Sequence, residues 1–313
     1  LIEQRFDMNM TFTTASIVAT ERPDWLTHEA WPFQISTLAV DDQTIAYTDT
    51  GEGPVLLIVH TGMWSLVWRD LIADLAQDFR CITLDAPGTG LSSGKGRVDL
   101  TMSSGAIDAL VRHLDLHDIV LVLHDLGGIA TLHASAAWTD RVRGLAAVNT
   151  FGWRPSGFGF RSMLALMGSR AMREIDVFTG WLPRMTATNF GVGRHWERPL
   201  RKTFLNGLDH RGRRSFHRYM RSVMRFDFDR VETAREAYRS LPALTVFGER
   251  NDYLGFQAKW AERLDDLQQI EIPKGNHFPM CDAPTAVAEA IRARFSTSPP
   301  QAPEPSPQGV SVC

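Results

Sequence analysis

The chain has 313 residues, 44% hydrophobic and 22% charged, with 33 Lys and Arg against 36 Asp and Glu. A formal net charge of −3 gives no overall bias toward nucleic acid or a membrane surface, and no apolar run approaches the roughly 20 residues that a membrane span needs. Cys81, Cys281 and Cys313 have neither metal-ligand spacing nor the pattern of a disulfide framework, which points to a reducing, cytoplasmic compartment with no cofactor or metal expected.

The length fits one large α/β domain with an insertion, or two small domains. No signal-peptide blocks are visible near the N-terminus; the chain opens on Leu1, and Met8 and Met10 are candidate starts. Residues 1–32 read as an N-terminal extension. FQISTLAV (33–40), a turn at Asp41 and Asp42, and TIAYTDTG (44–51) predict a hairpin. PVLLIVH (54–60) predicts a strand, 65–78 a loop and helix, and FRCITLD (79–85) the next strand. DAPGTGLSS (85–93) is a Pro/Gly turn, and 104–114 has helical spacing. IVLVLHD (119–125) is a strand running into a helix, and VRGLAAVNT (142–150) is another buried strand. Strands alternating with helices predict a mostly parallel sheet covered on both faces.

That rhythm stops over residues 151–240, which carry no strand signal. The segment holds about eighteen Lys and Arg against about eight Asp and Glu, and reads as a helical cap inserted after the sixth expected strand. Its arginines suit either solvated helix faces or attraction of an anionic partner. Its Met163, Met167, Phe178, Trp181, Met220 and Met224 suit a pocket lining or ordinary packing. Strands resume with ALTVFGE (243–249) and QQIEIP (268–273), and a last helix spans 284–295. The core is thus 33–150 with 241–295, followed by a Pro/Ser-rich tail (296–313) expected to be disordered.

Three residues fall just past strands in the order Asp125, Asp252, His277. In a parallel sheet the carboxyl ends of the strands share one edge, where open α/β sheets place their sites. HDLGG (124–128) has the strand–turn–helix pattern of a nucleophile elbow with an acid in place of Ser or Cys. A carboxylate attacking a saturated carbon forms an ester that water can cleave, whereas Ser would leave an ether. His277 is the expected base, and Asp252 the acid that orients its ring. Each has an ordinary alternative: Asp125 and Asp252 as acids at helix starts, His277 as a packed loop histidine.

Residues 33–295 resemble the α/β-hydrolase superfamily, and within it the haloalkane dehalogenase and epoxide hydrolase branch. The similarity rests on LLIVHTGMWSLVWRDL, DAPGTGLSS, VLHDLGG, VNTFGW, TVFGERND and PKGNHFPMCDAP. It implies an α/β-hydrolase fold and an Asp–His–Asp triad of Asp125, His277 and Asp252. Asp125 forms an alkyl-enzyme ester, and water activated by His277 hydrolyses it. The oxyanion is held by the backbone N–H of Leu126 and of Thr61 or Gly62. The partners are a small apolar organic substrate and water, with oligomeric state open.

The chain departs from the branch at the donors for the leaving group. Haloalkane dehalogenases place Trp after the nucleophile, as HDWG, and Asn in HGNP; here Leu126 and HTGMW stand there. Trp64 and Trp153 are candidate substitutes, and Phe278 a further substrate contact. Epoxide hydrolases use cap Tyr hydroxyls, for which Tyr219 is the best candidate. No G-x-S-x-G is present, and Arg does not follow the nucleophile as in fluoroacetate dehalogenases. A haloalkane dehalogenase-like hydrolase is therefore expected first, an epoxide hydrolase second, and a non-catalytic binding protein on the same scaffold third.

Overall fold

The computed structural model describes residues 18–19, 22–96 and 98–296; Met8, Met10 and the tail from residue 297 lie outside them. Nine strands form one sheet: β1 (Val18–Ala19), β2 (Ser36–Val40), β3 (Gln43–Thr50), β4 (Val55–Thr61), β5 (Arg80–Leu84), β6 (Ile119–Asp125), β7 (Val142–Thr150), β8 (Ala243–Gly248) and β9 (Leu267–Ile272). Their order is β1-β2-β3-β5-β4-β6-β7-β8-β9. The pairs β1–β2, β2–β3 and β3–β5 are antiparallel, and every pair from β5–β4 to β8–β9 is parallel. Strand β6 is buried from Ile119 to His124, as expected of a central strand covered on both faces.

Helices α1 (Arg69–Leu75), α2 (Leu100–His113) and α3 (Leu126–Ser135) make the first crossovers. Helix α2 starts four residues earlier than its apolar spacing predicts. Asp99 accepts from Met102 N at 3.2 Å, and that cap sets the start. The part of the N-terminal segment that is described packs on the sheet: Trp31 is buried and its indole N–H donates to Thr48 at 3.2 Å.

Between β7 and β8 lie α4 (Phe158–Met167), α5 (Arg170–Thr179), α6 (Trp181–Thr186), α7 (Arg198–Asn206), α8 (His210–Ser222) and α9 (Phe228–Ala237). A buried pair ties them together. His217 Nε2 on α8 lies 3.2 Å from Asp176 Oδ2 on α5, and Asp176 Oδ1 accepts from Leu182 N at 2.9 Å. Helices α10 (Phe256–Ala261), α11 (Pro279–Asp282) and α12 (Pro284–Phe295) complete the fold. No helix among the described residues is long and apolar enough to cross a membrane.

Candidate active site

Parallel pairing sets Thr61 beside Asp125 and His60 beside His124 at the carboxyl ends of β4 and β6. Asp125 then turns sharply into α3 with φ 50° and ψ −132°. That conformation is strained for a residue with a side chain, costing on the order of 1–3 kcal/mol, so the neighbours must over-determine it. Thr150 Oγ1 donates to the Asp125 carbonyl at 2.6 Å. The two glycines that follow allow the close approach: a Cβ on Gly127 would come 2.5 Å from the Val59 carbonyl, and one on Gly128 would strike Thr150 Oγ1. The turn lifts the Asp125 carboxylate out of the core, where its side chain is 16% exposed.

His277 lies in the loop between β9 and α11, a third exposed, with Nε2 3.7 Å from Asp125 Oδ2. Its loop is held from below. Asn149 Nδ2 donates at 2.9 Å to the carbonyls of both Asn276 and His277, and Asn149 Oδ1 accepts from Gly248 N at 3.1 Å. His124 Nε2 also donates to the His277 carbonyl, at 2.7 Å. Asn276 N donates to Asp282 at 2.6 Å.

Three imidazoles form a column here, with 4.7 Å between the ring centroids of His60 and His124 and again between His124 and His277. Burial, reinforced by the nearby His277, lowers His60 to about 3. Burial and both neighbouring histidines lower His124 well below its ordinary value. Two neutral rings therefore sit under His277, and neither nitrogen of His60 nor Nδ1 of His124 has a hydrogen-bond partner among the described residues.

Asp252, the acid expected to orient the His277 ring, accepts from Phe256 N at 2.6 Å through Oδ1 and from Gln257 N at 3.0 Å through Oδ2. No hydrogen bond or ion pair joins it to His277 among the described residues. The first amides of a helix have no intrahelical acceptor, and a preceding Asp satisfies them, as Asp252 does for α10.

The oxyanion candidates have mixed surroundings. Thr61 is buried, and its hydroxyl pairs with Ser103 Oγ at 3.0 Å, so only its backbone faces the question of an oxyanion. Gly62 has φ 110° and lies against the Phe216 ring of α8. Leu126 is buried and opens α3.

The expected substrate contacts are mostly committed elsewhere. Trp64 is buried and its indole N–H donates to the Phe204 carbonyl at 3.1 Å, which pins α7 to the core. Tyr219 is buried, its hydroxyl donates to the Pro87 carbonyl at 2.6 Å, and burial raises its pKa well above the ordinary value. A phenol so held ties α8 to the turn at Pro87. Trp153 packs edge-on to Phe256 and Trp260, at 5.4 and 5.3 Å between centroids, under the Arg263 guanidinium. Phe278 is buried against the histidine column, 6.0 Å from His60 and 4.9 Å from His277. The residues that sequence reasoning passed over are Asn149, Thr150, His60 and His124. A signal existed: His precedes the last residue of both β4 and β6, and Asn149 has φ 39°, a conformation that Asn tolerates well.

Residues 55–290 match the alpha/beta hydrolase family. Haloalkane dehalogenase 2 of Mycobacterium bovis (strain ATCC BAA-935 / AF2122/97) is 27% identical over 296 residues, covering 85% of this chain and 96% of the relative. A cis-3-alkyl-4-alkyloxetan-2-one decarboxylase of Xanthomonas campestris pv. campestris is 25% identical over 286 residues, covering 82% and 93%. The solved structure of the epoxide hydrolase CorEH superposes with a TM-score of 0.72 at 17% identity, covering 84% of this chain and 99% of that one. The chain therefore belongs to the alpha/beta hydrolase family, and is similar to haloalkane dehalogenases, an oxetanone decarboxylase and an epoxide hydrolase within it.

Proposed function

We propose that this enzyme cleaves a bond between a saturated carbon and a leaving group by way of an Asp125 ester. The observation that carries the reading is the strained Asp125, whose carboxylate stands 3.7 Å from Nε2 of a His277 that water can reach. A carboxylate oxygen bonds to the substrate carbon, and the leaving group departs with the electron pair. Water, losing a proton to His277, then attacks the carboxyl carbon of that ester. The donors proposed for the tetrahedral oxyanion are the backbone N–H groups of Leu126 and of Thr61 or Gly62. Collapse releases the alcohol and restores Asp125. Carbon–halogen cleavage is the first reading of the leaving group. Epoxide opening is less favoured, because the hydroxyls of Tyr219 and Tyr238 donate to the carbonyls of Pro87 and Ser135. A binder without turnover has no use for a backbone strained at Asp125.

A second reading rests on Leu126, which offers no side-chain donor to a departing anion, and on the oxetanone decarboxylase relative. In a four-membered cyclic ester, ring strain drives the carbon–oxygen bond to break as Asp125 attacks, and the leaving carboxylate stays tethered. Loss of CO2 then forms the alkene as the Asp125–carbon bond breaks.

Replacing His277 with Gln and incubating with haloalkanes, epoxides and a dialkyl oxetanone separates these readings. A mass adduct on the peptide carrying Asp125 is expected with a haloalkane, with free halide released. Alkene and CO2 from the oxetanone alone would install the second reading, and no adduct or turnover with any substrate would overturn the ester mechanism.

A further inference from the structure

A cleft of about 530 Å³ lies between the cap and the start of α2, away from Asp125 and His277. Arg170 and Arg173 reach it from α5, Arg218 and Arg221 from α8, and Arg225 from the turn that follows α8; Asp99 is the carboxylate in its lining. The spacing is regular. Arg170 and Arg173 are three apart on α5 and Arg218 and Arg221 three apart on α8, so each pair shares one helical face, and Arg225 joins them from the turn beyond. Arg173 is held by Glu174 at 2.8 and 2.6 Å. The side chains of Arg170, Arg221 and Arg225 have no hydrogen-bond or ion-pair partner among the described residues.

Like charges gathered in a concave cleft repel one another and focus a positive potential. A multivalent anion relieves that repulsion. Guanidinium forks match pairs of phosphate oxygens, and several forks on one cleft suit linked or neighbouring phosphates. The volume is in the range of small-ligand sites, enough for a diphosphate with an organic group attached. The net charge of the chain conceals this feature, because the cap's cations are offset by acids elsewhere.

We propose that the arginine cleft of the cap binds a phosphate-bearing polyanion. The reading is independent of the chemistry at Asp125. Two sources share the chemistry: a soluble di- or triphosphate, and a phospholipid headgroup. The second earns its own arm because Phe158 and Leu166 on α4 and Phe178 on α5 are 89%, 58% and 87% exposed on the same helical layer.

The full chain is titrated calorimetrically with inorganic tripolyphosphate, and separately co-sedimented with phosphatidylglycerol vesicles against phosphatidylcholine vesicles. Saturable binding that weakens with added salt is expected in at least one arm. The double variant Arg221→Gln/Arg225→Gln, whose sites are exposed, should keep its fold by circular dichroism and bind about tenfold more weakly or worse. The control Arg161→Gln/Arg198→Gln, with exposed arginines outside the cleft, should bind as the unaltered protein does. Tripolyphosphate binding identifies a free phosphate compound, and vesicle binding a headgroup. The proposal is overturned if neither arm shows binding weakened by the cleft variant, or if the control weakens it equally.

Discussion

The side-chain amide of Asn149 holds the backbone of His277: Nδ2 donates at 2.9 Å to the His277 carbonyl while Oδ1 accepts from Gly248 N at 3.1 Å. The end of β7 thereby fixes the loop carrying the candidate base to the end of β8, one strand over, and sets the base against the elbow. The backbone of His277 is thus held by Asn149 and His124, which set the place of its loop.

Asn149→Ala tests that brace. It removes a buried amide that makes three hydrogen bonds and puts Ala at φ 39°. A loss of about 2–4 kcal/mol is expected in denaturant unfolding, and turnover should fall further than the folded fraction accounts for. Unchanged turnover per folded molecule would mean that the loop holds its place without Asn149.

Asp252→Ala separates a helix cap from a catalytic acid. As the residue that satisfies the first amides of α10, it should cost about 1 kcal/mol of stability. Turnover should survive, and no ester should accumulate on Asp125. Accumulation like that of the His277→Gln variant would restore Asp252 to the catalytic set.

Acid should destabilise the fold through the histidine column. His60 titrates at the ordinary 6.5 when unfolded but at about 3 when folded. Below 6.5 the unfolded chain takes up a proton that the folded chain refuses. The stability present above that pH is therefore lost as pH falls toward 3. For His60 alone the loss between about pH 7 and pH 5 is roughly 2 kcal/mol. His60→Phe should make the unfolding free energy shallower in pH by about one proton, and an unaltered slope would show that the ring is not held neutral.

Tyr219→Phe removes a hydroxyl bound to the Pro87 carbonyl. About 1 kcal/mol of stability should go with it, and any opening of an epoxide by the enzyme should proceed as before. A selective loss of epoxide turnover would make Tyr219 a proton donor after all.

Much of this protein is written locally. The buried aliphatic runs ending at His60, His124 and Thr150 specify central strands, and Gly127 with Gly128 specifies a turn where the backbone must pass close to β4 and β7. Asp125 and His277 fall at one sheet edge because parallel strands end together. The buried runs and their spacing specify the sheet and mark Asp125 and His277 as candidates at its edge. How the polar side chains are used depends on packing. Asp252 could serve a helix or a histidine, Trp64 a substrate or the Phe204 carbonyl, and Tyr219 a ring oxygen or Pro87. These partners lie more than a hundred residues away for the Trp64–Phe204 and Tyr219–Pro87 pairs, so no local pattern shows which one a buried donor will find. Burial leaves each such group only the partners that packing brings within hydrogen-bond reach, and packing is a property of the whole fold.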